Sequence, residues 1–408
     1  MKSRRFLTSK ILFLFVALFI QSLVLAQRPG VYKYLPPEKL KDGIRTGTLK
    51  DARLDEAKIL AGTNEILKGT YPNIHSVLIF RKGKLVFEEY FTGEDVERGV
   101  GPMGVVKHTR DTLHDMRSVT KSVVAAAVLI AHSQGKIKSL DKPIFEFFPE
   151  YSRYAEGDKK NITVRHALSM SAGLDWNERI SYADPANSEI QMERAANPFE
   201  YVLSQKLVEK PGTVFNYSGG LSQLLAEIVK RTTGSDIAVF TEKSLFGPLG
   251  ISKFKWVRMR NGPPAAASGL RMRSRDMAKV GLLLVNKGRW NGKQIIPEKL
   301  VDEAMAEHVK VEPEGNTKEG DMLSYGYQVW RPSFLLNGDR ILLIEFSGNG
   351  GQKVQMDRAN QLMVVVTAGN YNKRGLKKSS FHIYGDIVYP ALLDRKVARQ
   401  KRVKAKGI

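Results

Sequence analysis

Ser118 and Lys121 stand three residues apart in the run Ser118-Val119-Thr120-Lys121. On a helix that spacing puts both side chains on one face, one turn apart, so the amine can reach the hydroxyl. A serine hydroxyl is a poor nucleophile until a base takes its proton. A lysine can act as that base only where desolvation or neighbouring positive charge lowers its pKa. The pattern alone says little, because Ser-x-x-Lys recurs at Ser133/Lys136, Ser139/Lys142 and Ser252/Lys255. Context separates the four. Ser118 opens a stretch that continues through Val123, Val124, Ala125, Ala126, Ala127, Val128, Leu129 and Ile130 and stops at Gly135. This reads as a helix without a polar face, buried in the middle of a domain. Its free N–H groups and positive dipole end would favour an oxyanion, and its walls would exclude water. Ser133 falls at the fraying end of that helix, Ser139 in a turn before Pro143, and Ser252 in a polar loop after Gly250.

Several other chemistries are struck out. There is no Gly-x-Ser-x-Gly elbow and no Walker loop. No His-Glu-x-x-His or run of clustered histidines appears among the 7 histidines, which disfavours a zinc hydrolase. With no cysteine there is no thiol nucleophile, disulfide or zinc ribbon. The net charge of +22 raises the question of nucleic acid. The cations are spread along the chain, however, without an aromatic-interleaved basic patch. The one dense cluster, from Arg395 and Lys396 to Lys404 and Lys406, reads as a solvated tail able to touch anionic surfaces weakly. No nucleic-acid partner is expected.

The block Met116-Arg117-Ser118-Val119-Thr120-Lys121-Ser122 resembles the active-serine motif of the serine β-lactamase-like superfamily, which includes class C β-lactamases, DD-peptidases, family VIII esterases and 6-aminohexanoate-dimer hydrolases. The segments Ala167 to Trp176, Phe215-Asn216-Tyr217-Ser218-Gly219, Ser268-Gly269-Leu270-Arg271 with Arg275-Asp276, and Gly348-Asn349-Gly350-Gly351-Gln352 resemble its further motifs, in order. The similarity runs from about residue 70 to 390 and looks nearest to the esterase and 6-aminohexanoate-dimer hydrolase branch. The resemblance implies Ser118 as acylating nucleophile, Lys121 as general base, and Tyr217 as the proton shuttle to the leaving group. It also implies that Asn349, Gly350, Gly351 and Gln352 line the substrate, with the backbone N–H groups of Ser118 and Gln352 forming the oxyanion hole. Neither a metal nor an organic cofactor is called for.

Two positions depart from the superfamily pattern. Gly219 stands where β-lactamases usually carry an asparagine, and Asn349 where they carry a lysine or histidine that would pair with a substrate carboxylate. Both favour an ester or small amide as substrate. Lys353 is a stand-in for the missing cation or else a solvated strand lysine. The alternatives are DD-peptidase or β-lactamase activity on cell-wall peptides or β-lactams, and a non-catalytic penicillin-recognising fold that only binds. Trp176, Tyr182 and Phe199 are possible pocket liners.

The elements that must position these residues follow from pattern. Residues 54–67 carry apolar residues at helical intervals, and 77–80 and 85–87 flank a hairpin turn. Short helices are expected at 163–170, at 221–233 before Gly234, and after Ser274 as a cap. Strands are expected at 325–330, 341–346, 353–356 and 362–367. The fold class is therefore α+β: an antiparallel sheet built from both chain ends, flanked by helices, with a mostly helical inserted lobe. The 408 residues suffice for one large unit at 61–392, preceded by an arm at 27–60 and followed by the basic tail at 393–408. At the N-terminus, Lys2, Arg4, Arg5 and Lys10 precede an apolar run that ends in Val24 and Ala26. This is the order of a secretory signal over residues 1–26, predicting a secreted or periplasmic protein. An uncleaved membrane anchor is the other reading of that run.

Overall fold

The computed structural model describes residues 32–395 except residue 261, residues 313–319 and residue 374. The signal reading and most of the basic tail lie outside these residues.

The strand Ile74–Arg81 is buried along its whole length, as is Leu362–Ala368. Such strands can be continuously apolar because both faces are covered. They pair antiparallel, Ile79 opposite Val364 and Val77 opposite Val366, which joins the two ends of the chain at the centre of a ten-stranded sheet. Outward on one side lie Lys84–Tyr90 and the short edge strand Arg45–Thr46, the latter parallel. On the other side follow Gln352–Asp357, Ile344–Gly348, Trp330–Leu336, Met322–Tyr325 and Val309–Lys310, all antiparallel. The period-2 alternation of strand side chains splits the core in two. Leu78, Phe80, Val354, Met363 and Val365 face the core that also holds the buried helix. Val77, Ile79, Leu362, Val364 and Val366 face a smaller core made with the helix Glu56–Leu67 and the C-terminal residues Ile383, Ile387 and Val388.

The predicted buried helix is Val119–Ser133, with every residue from Val119 to Ala131 buried. It packs against Gly219–Thr233 in the inserted helical lobe. That lobe also contains a small antiparallel sheet, His114–Asp115 against Leu270–Met272 against Phe254–Trp256. The arm is tied to the main sheet where it is described. Tyr34 donates its hydroxyl to the Val86 carbonyl, and Arg45 lies opposite Lys84.

Three local expectations are corrected. Residues 341–346 are not one strand, because Asp339–Leu342 ends before Leu343 and Ile344–Gly348 begins after it. Residues 325–330 do not form one strand: Met322–Tyr325 ends where the expected strand begins, and the chain turns through Gln328 at φ +56 before Trp330–Leu336 starts. Ser274 is the first helical residue of Ser274–Val285 and not its cap, which is Arg273. Its hydroxyl instead bonds Ser76 on the central strand at 2.7 Å, so a tertiary partner outcompetes the local N–H groups.

Candidate active site

Ser118 sits at the N-terminus of the buried helix, after Arg117 at φ +48. Ser118 itself is αR (φ −66, ψ −7), and its side chain makes no capping bond, which leaves the hydroxyl free for chemistry. Lys121 follows one turn later, 1% exposed, and donates to Ser118 Oγ at 3.2 Å and to the Ala267 carbonyl at 3.0 Å. Its Nζ lies 4.8 Å from the centre of the Tyr217 ring. Tyr217 is placed by a turn that the Asn216 amide locks to the Leu174 and Trp176 carbonyls, and its ring stacks on Trp330 at 5.5 Å. Burial raises the Tyr217 pKa, while Lys121 and a hydrogen bond with Ser118 act in the opposite sense. The structure thus brings Ser118, Lys121 and Tyr217 into one cluster. Tyr71, which has Asn73 at +2 where Tyr217 has Gly219, bonds Asp386 instead.

Two residues absent from the sequence reading complete the cluster. Glu178 Oε1 and Glu189 Oε2 lie 3.8 and 3.7 Å from Lys121 Nζ, and both side chains are buried. Glu178 accepts from Trp176 Nε1 at 2.8 Å, from the Gly219 N–H at 2.6 Å and from the Tyr182 hydroxyl at 2.8 Å. Glu189 Oε1 accepts from Ser268 at 3.0 Å, whereas its Oε2 has no conventional donor. Glu178 and Glu189 both lie within 4 Å of the same Lys121 Nζ. Burial, and then the charge of Glu189, push Glu178 well above the usual carboxylate range. Burial opposes charge on Glu189 too, but Lys121 and the bond with Glu178 outweigh it and hold Glu189 low. The pair therefore shares one proton, as close buried carboxylates do.

This environment reverses one expectation about Lys121. Burial pushes its pKa down, but Tyr217, Glu189 and Glu178 outweigh burial and the net shift is upward. Lys121 is a cation at rest. The same pair explains the departure at Gly219. A Cβ there would lie 2.4 Å from Glu189 Oε2, so the carboxylate fills the space that a side chain at this position would need. Nothing in the spacing of Glu178 and Glu189, which lie on opposite sides of a loop, pointed to Lys121. The only sequence signal was that Glu178 follows the Trp176 motif by two residues.

The cluster opens into a cavity of about 500 Å³ that Ser118 shares with Tyr182, Glu189, Asn349 and a ring of arginines, among them Arg98, Arg117, Arg194 and Arg260. Asn349 lines this cavity and is clamped by Asn372, whose side chain and backbone it bonds at 2.6 and 2.9 Å. Gly350 and Gly351 form the adjoining turn at φ +97 and +105, a conformation open to glycine, and a Cβ on Gly350 would meet the Tyr371 ring at 2.5 Å. Gln352 is fully buried, and its side chain is used internally, bonding the Ala368 carbonyl at 2.8 Å and the Ala368 N–H at 3.1 Å. Lys353 points elsewhere, pairing with Glu345 and Ser347 in a separate cavity. Of the possible liners, Tyr182 reaches the cavity, Trp176 is buried behind it holding Glu178, and Phe199 lines a different one.

The β-lactamase family model matches residues 75–379, three-quarters of the chain and every residue of the cluster. This chain belongs to the β-lactamase family. Among curated proteins it is 28% identical over 184 residues to esterase EstB of Burkholderia gladioli, covering 43% of this chain and 44% of that one. It is 23% identical over 200 residues to protein flp of Staphylococcus aureus (strain MRSA252), covering 48% and 37%. The chain thus spans less than half the length of these relatives. Among solved structures, the Bacillus anthracis protein assigned as a 6-aminohexanoate-dimer hydrolase superposes with a TM-score of 0.60 at 21% identity, covering 88% of this chain and 87% of that one. A family VIII carboxylesterase superposes at 0.60 and 18% identity, covering 82% and 97%. These likenesses support the α+β β-lactamase/transpeptidase-like fold.

Proposed function

We propose that this protein cleaves an ester or small amide through an acyl-enzyme on Ser118. The observation that carries the reading is the 3.2 Å contact of Lys121 Nζ with Ser118 Oγ, at the mouth of a cavity and at a helix N-terminus. Lys121 first passes one proton to Glu189, against their resting ionisation, which leaves the lysine and both carboxyl groups neutral. The free amine then takes the Ser118 proton as Oγ attacks the carbonyl. The oxyanion is held by the N–H groups of Ser118 and Gln352, and Tyr217 delivers the proton to the leaving group. Water repeats the sequence to release the acid. The relatedness to esterase EstB supports the substrate class, and the basic start and apolar run of residues 1–26 support export to the periplasm or outside. Purified protein is expected to hydrolyse short p-nitrophenyl esters, and Ser118→Ala to lose that activity by about 10³-fold or more. Unchanged hydrolysis by the variant would refute the reading.

A second reading, a carboxylate-bearing amide such as a cell-wall peptide or β-lactam, has one observation in its favour. Arg194 and Arg260 line the cavity, are exposed, and have no carboxylate partner among the described residues. Comparing kcat/KM for matched substrates with and without a carboxylate separates the two.

A further inference from the structure

Three of the histidines, scattered at positions 75, 108 and 114, meet in space beside Asp95. All four residues are at most 5% exposed. The hydrogen bonds around them fix two tautomers. Asn73 donates its Nδ2 to the Glu94 carbonyl at 2.8 Å, so its Oδ1 faces His75 Nε2 at 3.1 Å, and that nitrogen must carry the proton. His114 Nδ1 faces the Asp115 carbonyl at 3.1 Å, an acceptor only, so the proton of His114 sits there. The two remaining nitrogens, His75 Nδ1 and His114 Nε2, are then both lone pairs, and they face each other at 2.9 Å. Something positive belongs between them.

The surroundings supply two further ligands. Asp95 Oδ1 lies 3.8 Å from His114 Nε2, and Asp95 Oδ2 lies 4.0 Å from His108 Nε2. That His108 nitrogen is buried with no hydrogen-bond partner. The His108 ring stacks on His75 at 3.9 Å, and donor atoms of His75, Asp95 and His108 fall within 4.8 Å of one another.

We propose that His75, His108, His114 and Asp95 form a structural metal site for a zinc-class divalent ion. Three neutral imidazoles and one carboxylate are a donor set whose chemistry suits Zn²⁺, with the His108 ring turning off its stack on His75 to bring its Nε2 to the ion. The site gathers the strand Ile74–Arg81, the hairpin strand Thr92–Glu97, the loop at His108 and the strand His114–Asp115. The second shell leads to the active site. The Tyr371 hydroxyl bonds Asp95 at 3.2 Å, the Tyr371 ring stacks on His114 at 6.3 Å, and the same ring supports Gly350 and Arg117. The ion would therefore brace the glycine turn opposite Ser118 from behind.

The test is reconstitution of the full-length protein after chelator treatment. Wild type is expected to take up about one Zn²⁺ per chain and to melt at a higher temperature with the ion than without it. His108→Gln is expected to fold yet bind less than a tenth as much under the same conditions. A folded, stripped wild type that takes up no Zn²⁺, or a His108→Gln variant that binds as wild type does, overturns the proposal. Should His108→Gln fail to fold, Co²⁺ added to wild type decides. Intense visible bands of a tetrahedral ion support the site, while an aquo-like spectrum or no binding refutes it.

Discussion

Lys121 illustrates how a residue's role is set by neighbours that sequence does not reveal. The motif gave its distance to Ser118, which the structure reproduces at 3.2 Å. What the motif could not give was the charge around it. A lone desolvated lysine would lose its proton easily; with Glu178 and Glu189 within 4 Å it keeps it. The proposed base is therefore a lysine that first discharges onto a carboxylate. Glu189→Gln keeps the shape and removes the acceptor, so kcat is expected to fall about 10²-fold with KM little changed and the fold intact. Full activity in that variant would restore the simpler picture of Lys121 acting alone. Ser118, Lys121 and Tyr217 were legible because each lies in a motif read with its flanks. Glu178, Glu189 and the three histidines were not, because their partners are distant along the chain.

Elements place these groups, and their ends matter more than their middles. The buried helix was legible because no polar face interrupts Val119 to Ala131, and the sheet because its central strands carry the apolar runs 77–80 and 362–366. Where local chemistry competed with tertiary contacts the reading failed, as at Ser274, whose hydroxyl is used by Ser76. The helix Gly219–Thr233 begins at the one point where its backbone touches the carboxylate pair, through the Gly219 N–H to Glu178 and the bare Cα beside Glu189. Gly219→Ala should force Glu189 aside. A loss of about 1–3 kcal/mol is expected by chemical denaturation, with a matching fall in esterase rate. A variant as stable and active as wild type would show that the pair tolerates a side chain there.

For the whole molecule, the buried pair makes stability depend on pH. Glu178 has a raised folded-state pKa, so the folded protein keeps a proton that the unfolded chain has released above the ordinary carboxylate range. That contribution is complete at low pH and is lost as pH rises through the folded value. Melting temperatures of wild type relative to Glu178→Gln are thus expected to decline between about pH 5 and pH 9. A difference that stays flat across that range would mean the pair shares no proton. One sheet built from both chain ends was foreseen because strands read at each end of the sequence had to pair, whereas the two cores on its faces were not. In the proposed function all of it serves to hold one hydroxyl in an activating environment, and that is most directly tested by intact mass after exposure to a fluorophosphonate. The account predicts a single adduct on wild type and none on Ser118→Ala. An adduct that survives the substitution, or none on folded wild type, would contradict it.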